Sequence, residues 1–309
     1  MICPVCGETL SDEFALTDGG RPPTADSYSA CLRQCIHCGI GFSNSRTAPV
    51  CIYNDPLDNI PEPVREGVIK TLGLALNVRN RNNKRSKFGF ETSEDAVTWT
   101  VFTYLHSVRR LTAFQNLVNP GSILLTPQKP TLLVWGAPFP LDHVPGQRLR
   151  KQVTEILEQL GENPNSLSEP DIVLDFGSVG LVVIEVKYRS PNENKASGYP
   201  GWPTYIPKSG AFIDHDGARR SGHYELVRNW RLAWELAEDR PFTLINLGPE
   251  KLFEGEEGER LTAFESSLRQ TPERRFLRMT WNDLLALSGE IPEWFRQYVS
   301  KKRLVDFNQ

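Results

Sequence analysis

Cysteine is absent from this sequence after residue 51, although six cysteines lie before that point. A secreted protein held by disulfides spreads its cysteines through the fold, so this one-sided distribution argues against a disulfide framework. The sequence also lacks any run of about 18 apolar residues, which a membrane-spanning helix needs. Its first residues also lack the basic segment, followed by an apolar segment, that is typical of a signal peptide. We therefore expect a soluble, cytoplasmic protein with no membrane partner.

An excess of positive charge is missing as well. The 35 Lys and Arg residues against 38 Asp and Glu residues give a net charge of −3, so any contact with nucleic acid must come from local patches. The sequence contains no GxxxxGK[ST] motif, and residues 39–41 (GIG) are not placed between a strand and a helix. Ser178 and Ser221 lie in no nucleophile elbow. An ATP-driven motor and a serine hydrolase are both disfavoured.

The apolar content is sufficient for one sizeable core and a smaller appended module. The chain has 309 residues, of which 39% are hydrophobic and 10% aromatic. We predict a zinc ribbon over residues 1–52, a linker with a basic end over 53–87, and a main domain over 88–309. The basic end contains Arg85 and Lys87, which could neutralise backbone phosphates or form an ordinary solvated charge run.

Four of the six cysteines form two matched pairs. Residues 3–7 (CPVCG) and 35–39 (CIHCG) each place two thiolates two residues apart and follow them with a glycine. That spacing forms a tight turn in which both sulfurs face one metal ion, and glycine tolerates the left-handed backbone that closes the turn. The pattern predicts a closed, structural Zn²⁺ site. The predicted ligands are Cys3, Cys6, Cys35 and Cys38.

Two alternatives at this site stay open. Cys31 could replace Cys35 as a ligand, and an iron–sulfur cluster also uses four thiolates. His37 lies between two predicted ligands and is interpreted as an exposed residue at the ribbon tip.

Two β-rich runs, residues 169–176 (EPDIVLDF) and 181–188 (LVVIEVKY), are joined by a short loop with glycines and predict a hairpin. Period-two alternation puts Glu185 and Lys187 on one face of an otherwise apolar strand. Burying such charges is costly unless they pair or hold a metal. The same alternation lets Asp171 meet Glu185 across the hairpin. Two carboxylates this close repel each other, and oxygen ligands favour Mg²⁺ or Mn²⁺ over Zn²⁺.

A helix with an acidic first turn precedes this hairpin. Residues 92–95 (TSED) carry the N-cap and N3 acid of a capping box, so we predict a helix over residues 93–109. Its buried stripe ends at Glu94, which places that carboxylate nearest the core. Asp95 and Glu91 remain alternatives, and a first-turn acid also simply complements the helix dipole.

The hairpin motif resembles a known family. PD at residues 170–171, thirteen intervening residues and EVK at residues 185–187 are similar to the motif of the PD-(D/E)xK nuclease superfamily, which has the restriction-endonuclease-like fold. The resemblance covers roughly residues 88–250. It implies metal ligation by Asp171 and Glu185, and a lysine, Lys187, that positions or activates the attacking water. It also implies that a glutamate on the preceding helix, here Glu94, completes the site.

The remaining segments agree with the fold that the resemblance implies, an α/β (α+β) protein with an αβββαβ core. We predict a first strand at residues 131–135, an inserted helix at 147–160, a second core helix at 224–238 and a strand at 242–247. The C-terminal segment, 275–309, is interpreted as a packing helix pair or the surface of a homodimer.

A long loop, residues 189–222, mixes basic and aromatic residues and would lie beside the site. Arg219 and Arg220 are candidates for contact with phosphates, and His215 is a weaker candidate for a catalytic role. The function expected from the resemblance is Mg²⁺-dependent hydrolysis of phosphodiester bonds, most readily in DNA. It would suit restriction, phage defence, mobile-element processing or repair. A non-catalytic nucleic-acid-binding protein of the same fold and an iron–sulfur exonuclease are the alternatives.

Overall fold

Two β-sheets organise the described part of the protein, as seen in a computed structural model. The residues that the structure describes are 2–3, 5–10, 23–45, 48–76, 87–118, 127–165, 167–206 and 210–305. The strands are Arg33–Gln34 (β1), Ile40–Phe42 (β2), Cys51–Tyr53 (β3), Thr131–Val134 (β4), Ala137–Phe139 (β5), Ile172–Asp175 (β6), Leu181–Val186 (β7), Phe242–Gly248 (β8) and Arg274–Thr280 (β9). The first three form a small sheet in that order, and the others form a sheet with the order β5-β4-β6-β7-β8-β9.

Helices cover both faces of the larger sheet, so the protein is of mixed α/β type. Their bounds are Glu62–Leu76 (α1), Glu94–Ser107 (α2), Gln115–Val118 (α3), Val144–Gln159 (α4), Trp202–Tyr205 (α5), His215–Ser221 (α6), Tyr224–Ala237 (α7), Gly255–Ser267 (α8), Trp281–Ser288 (α9) and Glu293–Lys301 (α10). Of the helices in the described ranges, none has both the length and the apolar character that crossing a bilayer requires.

The central strand β7 is buried at every position because its two neighbours pair with it and both of its faces are covered. It runs antiparallel to β6 and parallel to β8. Ile184 and Val186 belong to the apolar cluster that includes α1, α2 and α10. Leu181 and Val183 belong to the cluster on the other face, with α4, α7 and α8. Alternation along β7 therefore divides the core as predicted.

Several predicted elements are present, with small shifts in their ends. The strand predicted at residues 131–135 is β4, the inserted helix is α4, the second core helix is α7 and the following strand is β8. The helix predicted over residues 93–109 is α2, but its N-cap is Ser93, whose hydroxyl accepts a hydrogen bond from Ala96 N at 3.2 Å. The predicted capping box, with its cap one residue earlier, is therefore wrong.

Three segments differ from their prediction. The linker of residues 53–87 contains α1, whose residues Val68 and Leu72 are buried in the core. The loop of residues 189–222 contains the short helices α5 and α6. The C-terminal segment begins with β9 and only then forms the helix pair α9 and α10, of which Phe295 is fully buried. That burial favours the packing interpretation of this helix pair.

The small sheet is joined to the main domain by a buried lysine. Lys302 is 1% exposed, and its ammonium donates to Asn59 Oδ1 at 2.7 Å and to Glu91 O at 2.6 Å. Glu91 N in turn donates to Cys51 O at 2.9 Å, in β3. The backbone carbonyl of Lys302 accepts a hydrogen bond from the hydroxyl of Tyr188, directly after the Lys187 position. One residue thus connects the small sheet with the end of β7.

Burial lowers the pKa of Lys302 to about 7. Between that pH and the ordinary lysine pKa of 10.5, the unfolded chain holds a proton at this residue that the folded protein lacks. The free energy of unfolding therefore gains from Lys302 as the pH rises through this interval, by at most about 1.4 kcal/mol per pH unit. We expect Lys302→Met to remove that gain. Denaturant titrations of both proteins at pH 7, 8.5 and 10 measure it.

The control for this prediction is Lys151→Met, which removes a lysine whose side chain is 78% exposed. Its difference from the wild type should stay the same at all three pH values. A constant difference between the wild type and Lys302→Met would contradict the lowered pKa.

Candidate active site

Asp171 and Glu185, predicted to meet across the hairpin, lie opposite each other at its end. Ile172 pairs with Ile184 in the antiparallel register of β6 and β7, which places Asp171 opposite Glu185. The Asp171 carboxylate accepts a hydrogen bond from Val186 N at 2.8 Å, so it closes the end of the hairpin. This position is fixed by backbone geometry, because the register is set by the short turn between the strands.

Glu185 is 3% exposed and has both carboxylate oxygens engaged. Oε1 accepts from Lys187 Nζ at 2.8 Å, and Oε2 accepts from Asn229 Nδ2 at 2.7 Å. Burial raises the pKa of Glu185 to about 8, with Lys187 opposing the rise and the nearby charges of Asp171 and Glu225 adding to it. The surroundings of Glu185 therefore favour either the neutral form of its side chain or the binding of a cation to it.

Lys187 is 6% exposed and lies between two carboxylates. Its ammonium is 2.8 Å from Glu185 Oε1 and 2.7 Å from Glu225 Oε2. Burial acts to lower the pKa of Lys187, but the negative charges of Glu185 and Glu225 outweigh burial and raise it. The side chain is therefore an ammonium, a donor and a positive charge, at neutral pH.

Glu94 is the carboxylate of α2 that reaches this end of β7. Its Oε2 accepts from Tyr188 N at 2.6 Å and from Ser190 Oγ at 2.8 Å. Burial raises the pKa of Glu94, with Lys187 opposing the rise. Glu91, one of the alternatives, instead has its carboxylate close to Cys51. Glu94 therefore joins Asp171, Glu185 and Lys187 as the sequence predicted.

Three polar residues of α7 also belong to this cluster, and sequence reasoning missed them. Glu225, Arg228 and Asn229 have the spacing i, i+3, i+4, which puts them on one face of the helix. Arg228 and Asn229 are buried, and Arg228 Nε donates to Asn229 Oδ1 at 3.2 Å. Burial acts to lower the pKa of Arg228, but the charges of Glu185 and Glu225 raise it. The spacing of these three polar residues is the one signal of them in the sequence, and it fits a solvated helix face equally well.

The carboxylates do not form a closed metal cage as they stand. Within the described part of the chain, the only group of three or more Cys, His, Asp or Glu ligand atoms that all lie within 4.8 Å of one another is the cysteine quartet. Hard oxygen donors of the kind that Mg²⁺ prefers are nevertheless concentrated around Asp171 and Glu185. A cation there would bind Glu185 beside the Lys187 ammonium, which already lies 2.8 Å from Oε1 of that carboxylate.

The four predicted cysteine ligands come together, and the quartet can hold a metal ion such as zinc. Cys3 Sγ lies 3.5 Å from Cys38 Sγ, and Cys6 Sγ lies 3.4 Å from Cys35 Sγ. Gly7 and Gly39, the residues after the two pairs, have φ angles of 77° and 64° and donate back to the first cysteine of each pair. The glycines thus close two matching turns, as predicted from their positive φ.

The other two cysteines lie apart from the quartet. Cys31 is buried, its Sγ lies 3.5 Å from Ser27 O, and burial raises its pKa to about 11. Cys51 is buried in β3, and burial raises its pKa to about 12. The structure therefore places Cys35, and not Cys31, in the quartet. His37 is exposed, with Nε2 at 3.7 Å from Glu8 Oε2, as predicted for a ribbon tip.

The candidate phosphate-binding residues lie outside the buried cluster around Glu185 and Lys187. Arg219 and Arg220 lie on α6 and pair with the acids Asp216 at 3.7 Å and Asp214 at 3.5 Å. His215 is exposed on the same helix. Lys87 is exposed at the start of the main domain, and Arg85 lies outside the described residues.

Protein-family models, curated proteins and solved structures were compared with this chain, and none of them matches it. Function must therefore be inferred from the side chains and distances of the two clusters. The acidic cluster at the end of β7 contains the more reactive chemistry, because it brings carboxylates, an ammonium and a guanidinium together in a buried site.

Proposed function

We propose that this protein is a metal-dependent nuclease that hydrolyses phosphodiester bonds through Asp171, Glu185, Lys187 and Glu94. The observation that carries the proposal is the pairing of Asp171 with Glu185 across the β6–β7 hairpin, with the Lys187 ammonium 2.8 Å from Glu185. Acidic pairs with a neighbouring lysine are costly to bury. A site that positions a cation and a water molecule accounts for that cost.

The order of elements supports the same proposal. The chain runs α2, β4, β6, β7, α7, β8, with β4, β6 and β7 antiparallel and β8 added parallel to β7. This is the αβββαβ order of the restriction-endonuclease-like core, with β5, α4 and the three short helices α3, α5 and α6 as insertions. We propose that core for the main domain on this ground.

We propose Mg²⁺ or Mn²⁺ as the active-site cation, with Asp171 and Glu185 as its protein ligands. Carboxylate oxygens match these hard cations, and the repulsion that helps to raise the pKa of Glu185 would be relieved by a divalent charge. When bound, the cation polarises the scissile phosphate and stabilises the negative charge that develops on it. We propose Zn²⁺ as the structural ion of the cysteine quartet.

The protein's own groups have separate tasks in this proposal. Lys187 remains an ammonium, so it orients the nucleophilic water by hydrogen bonding and stabilises the developing charge instead of acting as a base. Glu94 fixes the backbone directly after Lys187 through its bonds to Tyr188 and Ser190. Asn229 donates a hydrogen bond to Oε2 of Glu185 and so fixes the orientation of that carboxylate. These contacts orient the catalytic groups before substrate arrives.

We propose nucleic acid, with DNA first, as the partner. Arg219, Arg220, Lys87 and Arg85 are proposed as contacts to backbone phosphates. Such contacts position a substrate and do not read its sequence.

The test is an assay of single-stranded, double-stranded and modified DNA and RNA with Mg²⁺, with Mn²⁺ or with EDTA. We expect cleavage of at least one substrate with a divalent cation and none with EDTA. Binding of nucleic acid without cleavage under every condition would instead support a non-catalytic binding protein of this fold.

A further inference from the structure

The Lys187 ammonium has one carboxylate partner more than the proposed mechanism uses. Glu185 lies on the same strand, whereas Glu225 lies in the first turn of α7, and its Oε2 is 2.7 Å from Lys187 Nζ. The Glu225 side chain is 24% exposed, against 7% for Lys187. Burial acts to raise the pKa of Glu225, but the charge and hydrogen bond of Lys187, together with the charge of Arg228, outweigh burial and lower that pKa. Glu225 is therefore an ionised partner of the lysine.

A divalent cation and the lysine compete for the same carboxylate. Glu185 Oε1 accepts from Lys187 and Oε2 from Asn229, so each oxygen already has one donor. Each oxygen keeps a second lone pair for a cation, but a divalent charge on Glu185 repels the ammonium beside it and weakens the bond between Lys187 and Oε1. If the ammonium were displaced without another partner, it would be a buried and unpaired charge, which is strongly unfavourable.

Glu225 removes that penalty. It approaches the ammonium from the helix side, whereas Glu185 approaches it along the strand. Lys187 can thus lose Glu185 and keep a charged hydrogen bond. The other charged groups that act on Lys187 are Asp171 and Glu94, which also favour the ammonium.

We propose that Glu225 is a positioning residue that retains the Lys187 ammonium in the site when a divalent cation takes Glu185. The proposal rests on the proposed function, because it concerns the same cation site. It assigns to α7 a part in cation binding that the hairpin motif does not contain.

A double-mutant cycle on Mn²⁺ affinity tests this without any cleavage assay. The proteins are the wild type, Glu225→Gln, Lys187→Gln and the double variant, each supplemented with Zn²⁺ so that the cysteines do not take Mn²⁺. Bound Mn²⁺ is measured by electron paramagnetic resonance. In the wild-type background we expect Glu225→Gln to weaken Mn²⁺ binding about tenfold, and we expect Lys187→Gln to strengthen it. In the Lys187→Gln background, Glu225→Gln should change the affinity by less than about twofold.

An equal loss in both backgrounds would overturn the proposal, because Glu225 would then act on the cation directly. Glu225→Asp, which keeps the charge, should restore most of the affinity that Glu225→Gln loses. The matched control is Glu235→Gln, an acid on the same helix that pairs with Arg231 at 2.8 Å and should leave Mn²⁺ affinity unchanged. Circular dichroism establishes that each variant folds, and Lys187→Met replaces Lys187→Gln if the latter does not.

Failure of the proposed function gives a different result. If the wild type binds no Mn²⁺, or if binding survives both Asp171→Asn and Glu185→Gln, the proposed cation site itself is refuted. Binding that depends on those two residues, combined with an additive cycle, would overturn only the role of Glu225.

Discussion

Glu185→Gln is expected to lower the rate of phosphodiester cleavage by about a thousandfold or more, because the lost cation ligand costs several kcal/mol of transition-state stabilisation. The fold should survive, since glutamine has the same shape and its amide oxygen can still accept from Lys187. Single-turnover cleavage of the preferred substrate with saturating Mg²⁺ measures the rate. Thermal melting, followed by circular dichroism, measures the fold. Asp171→Asn should cause a loss of similar size.

The hairpin itself offers the matched control. Asp175 lies at the opposite end of β6 from Asp171 and pairs with Arg240 at 3.0 Å. Asp175→Asn removes the same charge from the same strand, at the end away from Glu185, and should leave the cleavage rate within about twofold of the wild type, since the interaction it loses is the ion pair with Arg240 and the amide oxygen can still accept from Gly177 N. Full activity of Glu185→Gln with Mg²⁺ would refute the proposed active site.

Loss of the Zn²⁺ proposed for the quartet is expected to unfold the small sheet, because a structural zinc site contributes on the order of 10 kcal/mol to the fold that holds it. Cys35→Ser should lower the zinc content from about one ion per chain to nearly none. Amide hydrogen exchange across β1, β2 and β3 should then become fast, whereas exchange in β7 should stay slow. Elemental analysis and hydrogen-exchange mass spectrometry measure the two effects, and chelation of the wild-type protein should reproduce them.

Cys31→Ala is the comparison for this experiment, since Cys31 is buried beside the same sheet without belonging to the quartet. It should keep its zinc and its slow exchange. Loss of zinc from Cys31→Ala, together with retention by Cys35→Ser, would make Cys31 the fourth ligand. An iron-dependent brown colour would point to a cluster in place of zinc.

The hairpin could be predicted because its information is local. Alternation with a period of two assigns each residue of β7 to a face, and the short turn fixes which residues of β6 lie opposite. A glutamate and a lysine at the end of an apolar strand stand out against that pattern. The meeting of Asp171 with Glu185 follows from these two facts alone.

The contribution of α7 could not be read in the same way. The helix is buried on two sides, so its apolar residues and its polar stripe both face the interior. In a single sequence, a stripe such as Glu225, Arg228 and Asn229 is indistinguishable from a solvated face until the partner across the sheet is known. Long-range packing supplied that partner.

Two other errors have the same origin. The edge strand β9 mixes arginines and apolar residues without a period of two, and Arg274 lies over the ring of Trp234 at 3.9 Å. Its strand character comes from parallel pairing with β8, a contact made across 32 residues of chain between Phe242 and Arg274. Helix α1 carries buried residues at helical spacing, but the proline and charge around it suggested a linker.

The contacts of α10 and Lys302 have a consequence for the kinetics of folding. Lys301 Nζ meets the hydroxyl of Tyr53 across 248 residues, and Lys302 meets Asn59 across 243. Contacts so distant along the chain form slowly, because the entropy of closing the loop must be lost before they gain anything. We therefore expect the contacts of Lys301 and Lys302 to form late in folding, after β3 has paired with the segment before α2 through Tyr53 and Gly89.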